Sequence, residues 1–157
     1  MSSKILILDN IRSAHNVGSI FRTADGAGVE KIFLVGVTPC PIDRFGRAQP
    51  EIMKTSLGAS DTVPWELVTD ADINTVISSL KSKDFIIAAI EQTETSIPLD
   101  DFKVPDKVVY IFGNEIGGVQ PALLDVADSI VEIPMKGKKE SLNVSVTTGI
   151  VLFKTAN

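Results

Sequence analysis

Apolar residues along this chain fall in short blocks separated by polar and turn-forming residues. Lys4 to Asp9 (KILILD) reads as a short buried strand, and Asn16 then opens and caps a segment with Val17, Ile20, Phe21 and Ala24 at helical spacing. Gly26 and Gly28 suit the end of that helix. Lys31 to Val35 (KIFLV) follows as a second strand, which predicts one βαβ unit with a right-handed crossover. The pattern is less regular beyond it. A Pro- and Gly-bearing stretch from Gly36 to Pro50 precedes a short helical piece near Ile52 to Leu57, and Thr62 to Val68 reads as an edge strand interrupted by Pro64. Asp70 or Asp72 is placed to cap a helix carrying Ile73, Val76, Ile77 and Leu80. Phe85 to Ile90 is apolar on both faces, as strands of parallel sheets are, and a loop with Pro98 and Pro105 comes next. Lys107 to Phe112 (KVVYIF) is another buried strand, Pro121 to Ala127 a short helix with proline in its first turn, and Ser129 to Ile133 a further strand.

This alternation predicts an α/β domain with a largely parallel sheet, whose ligands gather at the carboxyl ends of the strands. The last predicted helix, Asn143 to Lys154, carries Val144, Val146, Ile150, Val151, Leu152 and Phe153 around most of its circumference. It has no wet face and needs cover on both sides, which favours a homodimer.

Composition narrows the picture. At 157 residues, 44% hydrophobic and 22% charged, the expectation is one domain spanning 1–157 with a single core. No apolar run approaches the roughly 20 residues a membrane span needs, and the first residues lead straight into a strand, so a cytoplasmic protein without membrane contact is expected. One cysteine, Cys40, and one histidine, His15, leave nothing resembling a zinc site, and no structural metal is expected. A net charge of −5 argues against holding nucleic acid through a global positive field. Positive charge is nevertheless concentrated in two stretches, Arg44, Arg47 and Lys54 in one, Lys136, Lys138 and Lys139 in the other.

Three constellations have chemical potential. The first is Asn16-Val17-Gly18-Ser19-Ile20-Phe21-Arg22-Thr23-Ala24, in which Gly18 leaves the backbone accessible and Arg22 lies about 140° around the helix from Val17. These residues alone favour the plainer reading, a solvated arginine on an amphipathic helix. The second is Gly113-Asn114-Glu115-Ile116-Gly117-Gly118, directly after a buried strand. It lacks the spacing of dinucleotide and triphosphate loops, so a phosphate-free ligand or a plain glycine turn with a helix-capping asparagine remains open. The third runs from Ile133-Pro134-Met135 through the lysine-rich loop to Ser141-Leu142-Asn143-Val144-Ser145, where ordinary capping by Ser141 or Asn143 is compatible with ligand binding. His15 has a suitable intrinsic pKa for base work but only adjacency to Asn16 in its favour. Cys40, between Pro39 and Pro41, has no electropositive neighbour in sequence and is assigned no role.

In order and approximate spacing, these three segments resemble the motifs of the SpoU/TrmH branch of the SPOUT RNA methyltransferases. Lys54-Thr55-Ser56-Leu57-Gly58-Ala59 and Val63-Pro64-Trp65 add to a likeness extending from Asp9 to Phe153. The resemblance implies S-adenosylmethionine-dependent methylation of a ribose 2′-hydroxyl in RNA, by a minimal single-domain form. It also implies a SPOUT fold with a C-terminal deep trefoil knot, and a homodimer. Gly113, Ile133 and Leu142, with a position near Ala89, would line the donor pocket, and Asn16, Arg22, Glu115, Ser141 and Asn143 match the family's polar active-site positions. Arg44, Arg47, Lys54, Lys136, Lys138 and Lys139 are candidate RNA contacts. A small dimer able to grip a stem-loop suggests tRNA rather than rRNA as substrate. The alternative is a non-catalytic RNA-binding or scaffold protein that kept the fold, or an enzyme acting on a small adenosine-type ligand.

The resemblance also implies Arg22 as the base that takes the ribose proton. Neutralising a guanidinium with a pKa of roughly 12.5 at pH 7 costs about 7 kcal/mol. The expectation is therefore a cationic Arg22 that binds the adjacent phosphate and lowers the hydroxyl's pKa, while Asn16 and Ser141 or Asn143 orient the ribose.

Overall fold

A computed structural model describes residues 2–155. Among them runs a seven-stranded sheet built from β1 (Ser3–Asp9), β2 (Lys31–Val35), β3 (Trp65–Val68), β4 (Ile86–Ile90), β5 (Ile97–Pro98), β6 (Lys107–Phe112) and β7 (Ser129–Glu132). The order is β3-β2-β1-β6-β4-β7-β5, and each neighbouring pair is parallel. Six α-helices accompany it among the described residues: α1 (Ala14–Gly26), α2 (Pro50–Ser56), α3 (Ala59–Thr62), α4 (Ile73–Ser82), α5 (Pro121–Val126) and α6 (Val144–Lys154).

Strand alternation sorts the apolar residues into two cores. Leu6 and Leu8 of β1 join Val17, Ile20 and Phe21 of α1, Ile52 of α2, and Val151 and Leu152 of α6. Ile5 and Ile7, pointing the other way, join Ile73, Ile77 and Leu80 of α4 and Leu123 of α5. With helices on both faces the central strands are buried throughout, which is why they read as unbroken apolar runs. Each fully buried Phe or Leu side chain contributes about 1.5–3 kcal/mol.

Several boundaries differ from those the sequence suggests. Helix α1 starts before Asn16, because Ser13 is the capping residue and its Oγ accepts from the Asn16 backbone N–H at 3.1 Å. Asn16 is thereby freed from capping, and its side chain is buried. Gly18 is not an accessible backbone position either. It is buried where α1 meets α2, and a Cβ there would overlap Thr55 and the carbonyl of Ile52. Asp72 occupies the N-cap position of α4 without a side-chain cap bond, and Thr69 Oγ1 instead accepts from the Asp72 N–H at 3.2 Å. The loop containing Pro98 includes the two-residue strand β5, which pairs with β7. Pro64 sits just ahead of β3 at the sheet edge, where its missing N–H breaks no ladder.

The chain lays β1, β2 and β3 outward toward one edge, crosses to the other half for β4, and returns with β6 between β1 and β4. Such a reversal leaves a crevice at the carboxyl ends of the strands.

Candidate active site

A cavity of about 600 Å³ opens at those carboxyl ends. The end of β4 contributes Ile90, Glu91 and Gln92, the end of β6 contributes Phe112 and the loop Gly113–Gly118, and β7 contributes Glu132 and Ile133. The start of α6 closes it with Ser141, Leu142, Asn143, Val144 and Thr147. The walls are thus apolar where strands end and polar at the rim. Glu91, Glu115, Glu132 and Glu140 line it, while no lysine, arginine or histidine does.

The loop after β6 is rigid by construction. Asn114 Oδ1 accepts from the N–H groups of Ile116 and Gly117 at 2.9 and 3.0 Å, and the backbones of Asn114 and Gly118 exchange hydrogen bonds of 3.0 and 2.9 Å. Asn114 therefore caps its own loop rather than a helix; α5 begins only at Pro121. Gly113 is required here, because a Cβ on it would overlap the backbone of Gly118 and Val119. Glu91 braces the loop from β4, its Oε2 accepting from Val119 N–H at 3.0 Å. Gln92 reaches the basic loop through a 2.8 Å bond from Nε2 to the Glu140 carbonyl.

Glu115 joins this loop to the start of α1. Its carboxylate accepts from the backbone N–H groups of Arg12 at 3.2 Å and Ser13 at 3.3 Å. Partial burial pushes its pKa up, but hydrogen bonds from its own backbone, from Arg12 and Ser13, and from the Asn16 side chain outweigh that effect. The carboxyl is held below its ordinary range. Asn143 completes the link: its Oδ1 caps α6 by accepting from Ser145 N–H at 2.9 Å, and its Nδ2 donates to Asn16 Oδ1 at 3.3 Å. Glu115, Asn16 and Asn143, far apart in sequence, form one polar seam between the loop, α1 and α6.

Gly113, Glu115, Ile133, Ser141, Leu142 and Asn143 all line the cavity, and Asn16 touches it through Asn143. Ala89 does not. It is fully buried in the opposite core with Ile87, Val109 and Ile111, because strand alternation turns it away and presents Ile90 instead, while Glu91 lies just past the strand's end. Arg22 is also absent from the lining; it is exposed on α1, six residues and therefore roughly 9 Å along the axis from Asn16. His15 is exposed, and its carbonyl accepts from Thr55 Oγ1 at 3.2 Å. Burial pushes the Cys40 thiol up, away from thiolate chemistry.

Arg44, Lys54, Lys136, Lys138 and Lys139 are exposed and enter none of the ion pairs among the described residues, whereas Arg47 Nε pairs with Asp43 Oδ2 at 2.8 Å. No group of side chains placed to hold a metal occurs among the described residues, and no helix there is long and apolar enough to cross a membrane. Sequence reasoning missed Glu91, Gln92 and Glu132. Their only signal is a position at or just past a strand's carboxyl end, which requires the strand order to interpret.

Comparison with known proteins sets this arrangement in context. Residues 3–153 match the SpoU rRNA Methylase family. The chain belongs to that family. Among curated proteins it is 34% identical over 151 residues to the 23S rRNA (guanosine-2′-O-)-methyltransferase RlmB of Neisseria meningitidis, covering 96% of this chain and 57% of the relative. It therefore spans little more than half the length of such SpoU relatives. Among solved structures, the AdoMet-bound rRNA methyltransferase from Sinorhizobium meliloti superposes with a TM-score of 0.85 at 29% identity, covering 97% of this chain and 55% of that one. The A. aeolicus TrmH/SpoU tRNA modifying enzyme gives 0.83 at 28%, covering 98% and 74%.

Proposed function

We propose that this SpoU-family chain transfers a methyl group from S-adenosylmethionine to a ribose 2′-hydroxyl of RNA, with ribosomal RNA as the favoured acceptor. The observation that carries the reading is the cavity, in which a glycine-dependent loop and the polar seam of Glu115, Asn16 and Asn143 meet at the strand ends. Its size and walls fit an adenosine-type ligand: Ile90, Phe112, Ile133 and Leu142 offer apolar surface, and the close turn at Gly113 exposes backbone groups. Four carboxylates without a lining cation suit a donor carrying a sulfonium charge. When bound, that donor supplies an electrophilic methyl group.

The chain's own contribution is placement and charge. Asn143 presents its amide at the cavity edge, held by the buried Asn16, and Ser141 adds a hydroxyl; these orient the ribose. Arg22 remains cationic, binds the phosphate next to the target and eases loss of the hydroxyl proton. Its distance from the cavity lining gives it a route to a site through a second copy. On α1, Thr23 and Gly26 face Gly149 and Phe153 of α6, while Gly18 faces α2, and Arg22 falls between these two faces beside an open apolar strip. That strip, Val146, Ile150 and Phe153, is 36–57% exposed and is the surface we assign to a homodimer. Family membership also supports a knotted C-terminal part in which the loop before α6 and the loop after β6 wrap the donor, and a cytoplasmic setting among RNA.

The preference for tRNA suggested by size alone is revised. Curated relatives of this chain at 32–34% identity are named as 23S rRNA enzymes, and size does not discriminate between RNA classes. Supplying methyl-labelled S-adenosylmethionine with separated 23S rRNA, 16S rRNA and tRNA tests the order. Label in 23S rRNA is expected; label confined to tRNA reverses the assignment, and label in none with donor bound points to the non-catalytic alternative.

A further inference from the structure

The loop between β2 and α2 carries an aromatic side chain that the fold leaves in solvent. Phe45 is 66% exposed, the most exposed aromatic residue among those described. It is not on a floppy segment. Ile42 and Ala48 form an antiparallel bridge, and Asp43 N–H donates to the Arg47 carbonyl at 2.9 Å. Asp43 Oδ1 accepts from the N–H groups of Phe45 and Arg47 at 2.8 and 2.9 Å, and its Oδ2 holds Arg47 Nε at 2.8 Å. Five residues thus make a small closed hairpin with Phe45 at its tip. The guanidinium carbons of Arg44 and Arg47 lie 4.8 and 5.0 Å from the ring centroid.

The hairpin stands on the same side of the sheet as the cavity, at the carboxyl ends of the strands, since it follows the carboxyl end of β2. Asn10 couples the two: its Oδ1 accepts from Val37 N–H at 2.9 Å at the start of this loop, and its carbonyl accepts from Asn114 Nδ2 at 2.7 Å in the glycine loop. A ring flanked by two guanidinium groups suits a π-face beside phosphates, the chemistry of an unpaired nucleotide. An apolar protein pocket would have to desolvate both cations. In a chain of net charge −5, a local contact of this kind also compensates for the missing global attraction.

We propose that the Asp43–Arg47 hairpin is an RNA-docking site outside the cavity, in which Phe45 stacks on an unpaired nucleobase and Arg44 and Arg47 take the flanking phosphates. The proposal rests on the RNA-methyltransferase reading above. Its test is the KM and Kd of the full chain for whichever RNA fraction accepts methyl, compared for wild type, Phe45→Ala, Phe45→Leu and Phe45→Trp. Phe45→Ala and Phe45→Leu should raise both constants roughly 5- to 150-fold, the range that stacking on one base supports, with kcat and donor affinity within about twofold. Phe45→Trp should restore them, and Arg44→Gln should flatten the slope of log Kd against log salt by roughly 0.7–0.9. Unchanged constants in Phe45→Ala overturn the proposal and leave the methyltransferase reading standing. Leucine rescuing as well as tryptophan overturns stacking, and a change in molecular mass in Phe45→Ala assigns the ring to a contact between copies. A wild-type chain that neither binds nor methylates any RNA fraction sinks the methyltransferase reading first.

Discussion

Glu115 is the residue at which fold and site are hardest to separate. Its folded-state pKa lies below the unfolded value, so the stability it contributes is fully present above the unfolded glutamate pKa of about 4.3 and is lost as pH falls through the folded value. Glu115→Gln should cost about 1 kcal/mol at pH 7, toward the low end for charged acceptors because the carboxylate stays partly solvated. Denaturant melts at pH 7 and pH 3.5 check the sign: the gap between wild type and variant should narrow at the lower pH, and a gap that widens contradicts the assignment. Gly18 offers a second residue-scale test. Gly18→Ala pushes a methyl group into Thr55 and Ile52 where α1 and α2 touch, and overpacking of this kind costs about 1–3 kcal/mol. A melting temperature several degrees lower is expected; an unchanged one indicates that α2 yields.

At the scale of elements, much was legible and the exceptions have physical causes. The strand Lys107–Phe112 was read to the residue, because an apolar run buried on both faces has no competing period. Ser141 and Asn143 both read as caps for α6, and the hydrogen bond from Ser145 N–H selects Asn143. The start of α1 was misplaced because Ser13 and Asn16 are both good caps, and only the hydrogen bond decides between them. Ala89 was put in the cavity although it faces away, an error of one position that the period-two alternation of a strand turns into the wrong face. The exposed strip on α6 was legible as an excess of apolar residues, and its occupant is testable. Phe153→Glu or Ile150→Glu should halve the molecular mass in solution while leaving helical content unchanged, since both side chains are already exposed. Wild type eluting as a monomer removes the dimer from the account.

At the scale of the whole molecule, Arg22 is exposed on α1 and does not line the cavity of its own chain. Mixing Arg22→Ala with Asn143→Ser, each inactive alone, should regenerate about a quarter of wild-type turnover, since random pairing makes half the dimers mixed and each mixed dimer holds one complete site. No recovery, with exchange of subunits verified, would place Arg22 and the cavity of one chain together. The strand order explains why this level was least legible in the sequence. Glu91, Glu115 and Glu132 converge because β4 lies between β6 and β7, a long-range pairing that no local pattern encodes.

Under the proposed function, this cavity directs a methyl group to a ribose oxygen. The chemical position of label after transfer from methyl-labelled S-adenosylmethionine to 23S rRNA, read by alkaline hydrolysis, tests this first, with Leu142→Arg alongside to put bulk and positive charge into the cavity wall. Label is expected in alkali-resistant dinucleotides, where a blocked 2′-oxygen prevents cleavage, and should be lost in the variant. Label released with single nucleotides, or surviving unchanged in Leu142→Arg, would rule this out.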